Sequence, residues 1–188
     1  RRLQACAQQV AADGGVLSDD PVELARLPGI GPYTAAAIAS IAFGRPYPAV
    51  DGNVLRVQTR LLADDGEVSS PVLRRRVYEH LLAVIRQTPD PSSFNQAQMD
   101  LGAMVCLPRQ PLCGNCPLQR FCRAYAFGEP TAYPQRSPRR AMPHVHVAVG
   151  LIFHGGRLLI LRRDDRQMLG GLWEFPGGKL ESGETPVQ

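Results

Sequence analysis

Four of the five cysteines in this chain lie within seventeen residues, at the spacing C-x6-C-x2-C-x5-C; they are Cys106, Cys113, Cys116 and Cys122. Thiolates bind zinc, Cu(I) and iron–sulfur clusters, and a C-x2-C turn directs two sulfurs at one centre. The first residues do not resemble a secretory signal, so a metal centre is favoured over disulfides. The fifth cysteine, Cys6, is expected to be a buried core residue. Spacing alone leaves tetrahedral zinc and a four-iron cluster both open.

A second candidate is a glycine-containing turn before a predicted helix. Its residues are Leu27, Pro28, Gly29, Ile30 and Gly31. Two glycines one residue apart allow a tight turn that exposes backbone N–H groups, and a helix starting at Pro32 would direct its N-terminus the same way. Such an arrangement could bind phosphate without a basic side chain. A simple tight connection between helices is the alternative.

A third candidate is Asp51, in the segment Val50-Asp51-Gly52-Asn53-Val54 just before another predicted helix. Aspartate is a favoured N-cap, so helix capping is the simpler interpretation. A carboxylate at this position could also stabilise an oxocarbenium-like sugar cation as a glycosidic bond breaks.

The elements that must position these groups are mainly α-helical over about the first 125 residues. Helices are predicted from Leu3 to a stop at Gly14-Gly15, after Asp19-Asp20-Pro21, over Pro32 to Phe43, over Val54 to Leu62, after Ser70-Pro71, and from a cap at Ser92 or Ser93 through Met104. The helix after Pro71 places Leu73, Val77, Leu81 and Ile85 on one face.

Composition changes after residue 128. Four prolines and three arginines between residues 129 and 143 indicate an extended, basic linker. Beyond it, alternating apolar residues from Val145 to Leu151, a Gly155-Gly156 turn and a return over Leu158 to Leu161 predict a β-hairpin. We therefore expect a helical domain over 1–128, a linker over 129–143 and a second, α+β domain over 144–188.

Length and charge exclude little. The chain has 188 residues and a net charge of +4, which is compatible with a polyanionic partner without demonstrating one. No apolar stretch reaches the roughly 20 residues that a membrane span needs. We expect a monomer that does not bind membranes and lies in the cytoplasm, near the nucleoid if the source is bacterial.

In combination, these motifs resemble the helix-hairpin-helix DNA glycosylase superfamily with its four-iron, four-sulfur cluster and, more narrowly, the adenine DNA glycosylases of the MutY type. The resemblance covers residues 1 to 134. It is carried by the Leu27 to Gly31 turn, the Val50 to Val54 segment, Phe94 to Ala97 with Asp100 to Ala103, and the four cysteines in that order. It implies a [4Fe-4S] cluster on Cys106, Cys113, Cys116 and Cys122, and DNA binding by the turn.

The resemblance also implies a mechanism. Asp51 corresponds to the aspartate that stabilises the sugar cation, and Asn53 to an asparagine that orients the catalytic groups. Tyr33 occupies the position where relatives resembling endonuclease III have a nucleophilic lysine, so base excision without efficient strand cleavage is expected. The implied substrate is double-stranded DNA with adenine opposite 8-oxoguanine or guanine, the adenine being flipped out before excision.

Both ends of the chain look cut, since it opens on Arg1 and stops soon after a second motif begins. The family's general acid is a glutamate expected upstream, and Glu23 lies in the wrong motif to replace it. A fragment without that acid is expected to be poorly active.

The second motif runs from Gly170 to Lys179 and continues through Glu181 to Glu184, and it resembles the start of a Nudix box. In adenine glycosylases the corresponding domain recognises 8-oxoguanine. Three alternatives stay open: a Nudix nucleotide pyrophosphohydrolase fused to a DNA-binding module, an endonuclease III-like glycosylase, and a non-catalytic DNA-binding module.

Overall fold

A computed structural model describes residues 1–135, 142, 144–181 and 183–185. The chain divides into two compact units, Arg1–Pro138 and Arg139–Gln188. Each unit is described separately below.

The first unit is helical, as predicted. Its α-helices are α1 (Arg2–Ala12), α2 (Pro21–Leu24), α3 (Pro32–Ile41), α4 (Gly52–Leu62), α5 (Pro71–Ile85), α6 (Pro91–Asp100) and α7 (Arg123–Ala126). A π-helical turn, Leu101–Val105, continues α6, and short 3-10 turns cover Cys113–Asn115, Gln119–Phe121 and Pro130–Ala132. The cysteine segment thus follows α6 without a long regular element of its own.

Aspartates begin three of these helices. The carboxylate of Asp20 accepts a hydrogen bond from the Val22 N–H at 2.8 Å, and Asp51 caps α4 in the same manner. The prediction that Ser92 or Ser93 caps α6 is wrong. The cap is Asp90, whose carboxylate accepts from the Ser93 N–H at 3.0 Å, because Pro91 occupies the first turn, where its missing N–H costs nothing.

Two apolar clusters form the core of the first unit. One joins α4 to α5 through Val54, Leu55, Leu73, Val77 and Leu81, together with Val50. The other packs α2 against α3 through Leu24, Ala35 and Ala39. Cys6 is 9% exposed and lies in the core, as expected. The starts of α3 and α4 are therefore each fixed by a helix packed behind them.

The described residues of the second unit form six short strands: β1 (Val147–Val149), β2 (Phe153–His154), β3 (Arg157–Leu158), β4 (Leu161–Arg162), β5 (Trp173–Glu174) and β6 (Gly177–Lys179). All three pairs, β1 with β6, β2 with β3 and β4 with β5, are antiparallel. The predicted hairpin is correct only for β2 and β3 around Gly155-Gly156. The alternating segment before it pairs instead with β6, because Val147 lies opposite Lys179 and Val149 opposite Gly177.

The predicted linker, 129–143, is described only in part. Pro130–Ala132 forms a 3-10 turn, and the Val68 N–H donates to the Gln135 carbonyl at 2.9 Å. The arginines of the linker, Arg136, Arg139 and Arg140, lie outside the described residues. Within the described ranges, each helix is too short or too polar to cross a bilayer.

Candidate active site and cysteine cavity

Asp51 is held at the start of α4 by two hydrogen bonds. Its Oδ1 accepts from the Val54 N–H at 2.7 Å, and its Oδ2 accepts from Asn53 Nδ2 at 3.1 Å. The side chain is half-buried. The capping interpretation is thus confirmed, and the same two donors orient the carboxylate. Asn53 contacts Asp51 directly, as its predicted orienting role requires.

Asn53 is itself fixed from two sides. Its Oδ1 accepts from Arg56 Nη2 at 2.8 Å, one turn further along α4. On the other side lies Gly102 in the π-helical turn, where an added Cβ would stand 2.6 Å from the Asn53 Cβ. Because real Cβ atoms do not approach so closely, only glycine allows the turn to pack against Asn53 at this distance.

Two buried arginines of α4 connect it to the cysteine segment. Arg56 donates to the carbonyls of Gly102 and Cys106, both at 2.8 Å. Arg60, 2% exposed, donates to the carbonyls of Leu107, Pro108 and Tyr133 and to Cys106 Sγ at 3.3 Å. In return, Cys122 Sγ donates to the Arg60 carbonyl at 3.4 Å.

Sequence reasoning missed Arg56 and Arg60. Their spacing of four residues places both on one helical face, and charged residues on the same helix as Val54 and Val57 are a signal that could have found them. Arginines in such a position need several acceptors, which here come from backbone carbonyls.

The four predicted ligands line one apolar cavity; its walls include Cys106, Cys113, Cys116 and Cys122 together with Arg60, Val105, Leu112 and Tyr125. Burial raises the pKa of the Cys113 thiol, and the neighbouring Cys106, Cys122 and Cys116 raise it further, while Arg60 opposes the shift. The four cysteines thus lie around one common space. A bound metal would offset this cost of ionising the thiol, because metals stabilise thiolates.

Among the described residues, the four cysteines line this cavity without forming a compact single-ion site. Four sulfurs bound to one zinc ion at about 2.3 Å would lie within roughly 4 Å of one another. Among the described residues, no three side chains of His, Cys, Asp or Glu converge in this way on one ion. The cysteines instead surround a cavity.

The glycine turn has the geometry predicted for it. Gly29 has a φ of +85°, which favours glycine, and an added Cβ there would lie 2.9 Å from the Arg2 Cβ on α1. In the part of the chain that the structure describes, the N–H groups of Gly29 and Gly31 have no acceptor. Both are available to an anion in front of α3.

Tyr33, in the first turn of α3, lies at an open pocket of about 510 Å³. Its hydroxyl donates to Met99 Sδ at 3.3 Å, and the ring is 40% exposed. Val50, the neighbour of Asp51, lines the same pocket; the other walls are Pro32, Pro48, Pro71, Arg74, Arg75 and Tyr78. The structure thus brings Tyr33 and the segment before Asp51 to one space.

Two family matches follow the same order along the chain. Residues 14–41 match the helix-hairpin-helix motif, which contains the glycine turn and α3. Residues 148–188 match the NUDIX domain, which covers most of the second unit.

Curated relatives match nearly the whole chain. The adenine DNA glycosylase of Mus musculus is 35% identical, over 98% of this chain and 44% of the relative. That of Arabidopsis thaliana is also 35% identical, over 90% of this chain and 29% of the relative. The chain therefore spans less than half the length of these relatives.

Solved structures match about two thirds of the chain. A thermostable thymine-DNA glycosylase is 28% identical with a TM-score of 0.57, over 67% of this chain and 58% of that one. An endonuclease III in a non-covalent complex with DNA is 31% identical with a TM-score of 0.51, over 66% of this chain and 56% of that one.

Proposed function

This chain is homologous to the adenine DNA glycosylases along nearly its whole length, and from that homology we propose that the protein hydrolyses the N-glycosidic bond of adenine in double-stranded DNA. The supporting observation within the chain is Asp51, a carboxylate held by two donors at the start of α4. The substrates proposed are mispairs of adenine with 8-oxoguanine or guanine.

The chain's own residues suggest how excision would proceed. The carboxylate of Asp51, oriented by Asn53, would stabilise the positive charge that develops on the sugar as the adenine departs. The flipped base would enter the pocket beside Tyr33 and Val50. The free N–H groups of Gly29 and Gly31 would bind a backbone phosphate and fix the register without reading sequence.

Tyr33 supports a monofunctional enzyme. A strand-cleaving glycosylase attacks the sugar with an amine, and a tyrosine offers none. The Tyr33 hydroxyl already donates a hydrogen bond to Met99 Sδ. The proposed product is therefore an intact strand with an abasic site.

We further propose that Cys106, Cys113, Cys116 and Cys122 hold a [4Fe-4S] cluster, because all four line one apolar cavity. When bound, the cluster would cross-link the cysteine segment and neutralise the thiolate repulsion. Cys116→Ser should lose the visible absorbance of the iron–sulfur centre, whereas Cys6→Ala, outside the cavity, should keep it.

The second unit would supply recognition of 8-oxoguanine, because its NUDIX match follows the glycosylase part in the order seen in the proposed family. This assignment is separate from the chemistry at Asp51 and is tested on its own in the Discussion.

The experiment that tests the function is single-turnover excision by the whole protein containing this chain, on a duplex with adenine opposite 8-oxoguanine. We expect an abasic product that is cut only after alkali. Asp51→Asn should lower the rate by about a hundredfold or more, because asparagine keeps the cap but loses the charge. Affinity for the duplex should stay close to that of the wild type.

Asp90→Asn is the matched control, since it changes an N-cap of the same chemistry on α6. It should leave excision unchanged. Strand cleavage without alkali would support the endonuclease III-like alternative instead. Equal loss of excision and duplex affinity in Asp51→Asn would contradict the proposed role of this carboxylate.

A further inference from the structure

Asn95 is a polar side chain buried in the middle of α6, with only 2% of its surface exposed. Its Oδ1 accepts from the Ala49 N–H at 3.0 Å. Its Nδ2 donates to the Tyr47 carbonyl at 2.9 Å and to Ser40 Oγ at 2.7 Å. The side chain therefore uses both donor hydrogens and its acceptor, and two of the three bonds reach the segment that leads into Asp51.

Arg74 reaches the same segment from α5. Its Nη1 donates to the Val50 carbonyl at 3.1 Å. Val50 is the residue immediately before Asp51, and Ala49 precedes it. Two helices thus each contribute one side chain to the peptide groups of residues 47–50, which precede the carboxylate.

This segment needs such support because it is not part of a helix or strand. Residues 45–50 connect α3 to α4 without regular backbone hydrogen bonding of their own. Buried or half-buried peptide groups require partners, and here side chains supply them. Asp51 stands at the junction between this irregular segment and the rigid start of α4, so its position depends on both.

We propose that Asn95, assisted by Arg74, is a positioning residue that fixes the backbone before Asp51 and thereby places the carboxylate for excision. This inference rests on the proposed function of Asp51. Neither side chain bonds Asp51 itself, so both act through the peptide groups of residues 47–50. Small displacements of a catalytic group can cost up to about a hundredfold in rate.

The test is single-turnover excision at saturating enzyme, with duplex affinity and melting temperature measured in parallel on the whole, cluster-loaded protein. Asn95→Ala removes all three bonds. Arg74→Met keeps the aliphatic stem and removes the donor. We expect the rate to fall by about ten- to a hundredfold for Asn95→Ala and by about tenfold for Arg74→Met, with duplex affinity unchanged. Arg74→Lys, which keeps a donor, should recover most of the rate.

Two controls separate positioning from general damage. Arg86→Met removes the same charge at the exposed end of α5, and Arg86 is not among the walls of the pocket beside Tyr33. Gln98→Ala removes a part-buried hydrogen bond between α6 and α4, which Gln58 Nε2 donates to Gln98 Oε1 at 2.9 Å. This bond does not involve residues 47–50. Both should excise adenine at the wild-type rate.

Should Asn95→Ala not fold, Arg74→Met decides the matter, because Arg74 is exposed and its loss leaves no cavity. Rates for Arg74→Met and for folded Asn95→Ala equal to those of the controls would overturn the inference. Loss in only one of the two variants would assign positioning to that residue. Failure of the proposed function looks different, since the wild type itself would then release no adenine.

Discussion

Gly102 is the residue that brings the end of α6 against the start of α4. An added Cβ would lie 2.6 Å from the Asn53 Cβ and 3.1 Å from the Asn53 backbone, which cannot yield without moving Asp51's partner. We expect Gly102→Ala to destabilise the protein by about 1–3 kcal/mol through overpacking. Urea unfolding followed by circular dichroism would measure this.

Gly52→Ala is the matched control for Gly102→Ala. Gly52 begins α4, and an added Cβ there meets nothing within 4 Å. Its replacement should be neutral or stabilise by about 0.5–1 kcal/mol through lower chain entropy. A Gly102→Ala variant as stable as Gly52→Ala would mean that the π-helical turn can move away from Asn53.

Cys113 predicts a pH dependence for the protein without its cluster. Its pKa is raised above the ordinary value of 9.0, mainly by burial. The folded form then holds its proton at pH values where the unfolded form has released it, so the free energy of unfolding falls as pH rises through 9.0. Urea midpoints of the cluster-free protein at several pH values should show this decline.

Cys113→Ala in the same cluster-free state should show a shallower decline, because the shifted thiol is gone. Cys6→Ala, which changes a cysteine outside the cavity, should show the same pH dependence of the urea midpoint as the wild type. An identical pH profile for Cys113→Ala and wild type would refute the assignment.

Single residues were predictable where their role is local. The cap at Asp51 and the positive φ of Gly29 follow from neighbouring residues alone. The common cavity of the cysteines followed from short spacing. Arg56, Arg60 and Asn95 could not be assigned roles because their partners lie about 40 to 70 residues away and depend on how helices pack.

Among the elements, α4 joins the two candidate centres. Asp51 caps its first turn, and Arg60 near its last turn bonds the cysteine segment. Arg60→Gln should destabilise the protein by about 3 kcal/mol or more, because several buried carbonyls lose their donor at once. It should also lower retention of the visible iron–sulfur absorbance during purification.

Arg86→Gln offers the comparison for Arg60→Gln, since Arg86 is exposed at the end of α5. It should change stability by no more than about 0.5 kcal/mol. Equal effects of the two substitutions would show that the bonds of Arg60 are not important for stability.

The helices were predictable because their 3.6-residue periodicity and caps depend on residues that are close in sequence, as in the apolar face of α5 from Leu73 to Ile85. The strands were predictable only at the turn Gly155-Gly156. The strand Val147–Val149 pairs with Gly177–Lys179, which lies far away in sequence. Alternating apolar residues predict a strand but not which other strand it pairs with.

At the scale of the whole molecule, the division into two units predicts separable roles. A protein shortened to end before residue 139 should still excise adenine opposite guanine, because Asp51, Asn53 and the cysteine cavity all lie in the first unit. Its preference for 8-oxoguanine over guanine should fall by about tenfold or more as contacts to the modified base are lost. Single-turnover rates on the two duplexes would measure the ratio.

The counterpart to that truncation is a change within the intact protein. Asp51→Asn should lower excision on both duplexes by the same factor, about a hundredfold or more, and so leave the ratio between them unchanged. A shortened protein that keeps its full preference for 8-oxoguanine would place recognition in the first unit.

The contacts of Arg60 also bear on how the cysteine segment is closed. One side chain bonds Leu107 and Pro108 at the beginning of the cysteine segment and Tyr133 beyond its end. The intervening residues therefore form a loop whose two ends are held by one side chain of α4, and these bonds offset the entropy of closing it. The proposed cluster would then be inserted into a loop whose closure does not depend on the metal alone.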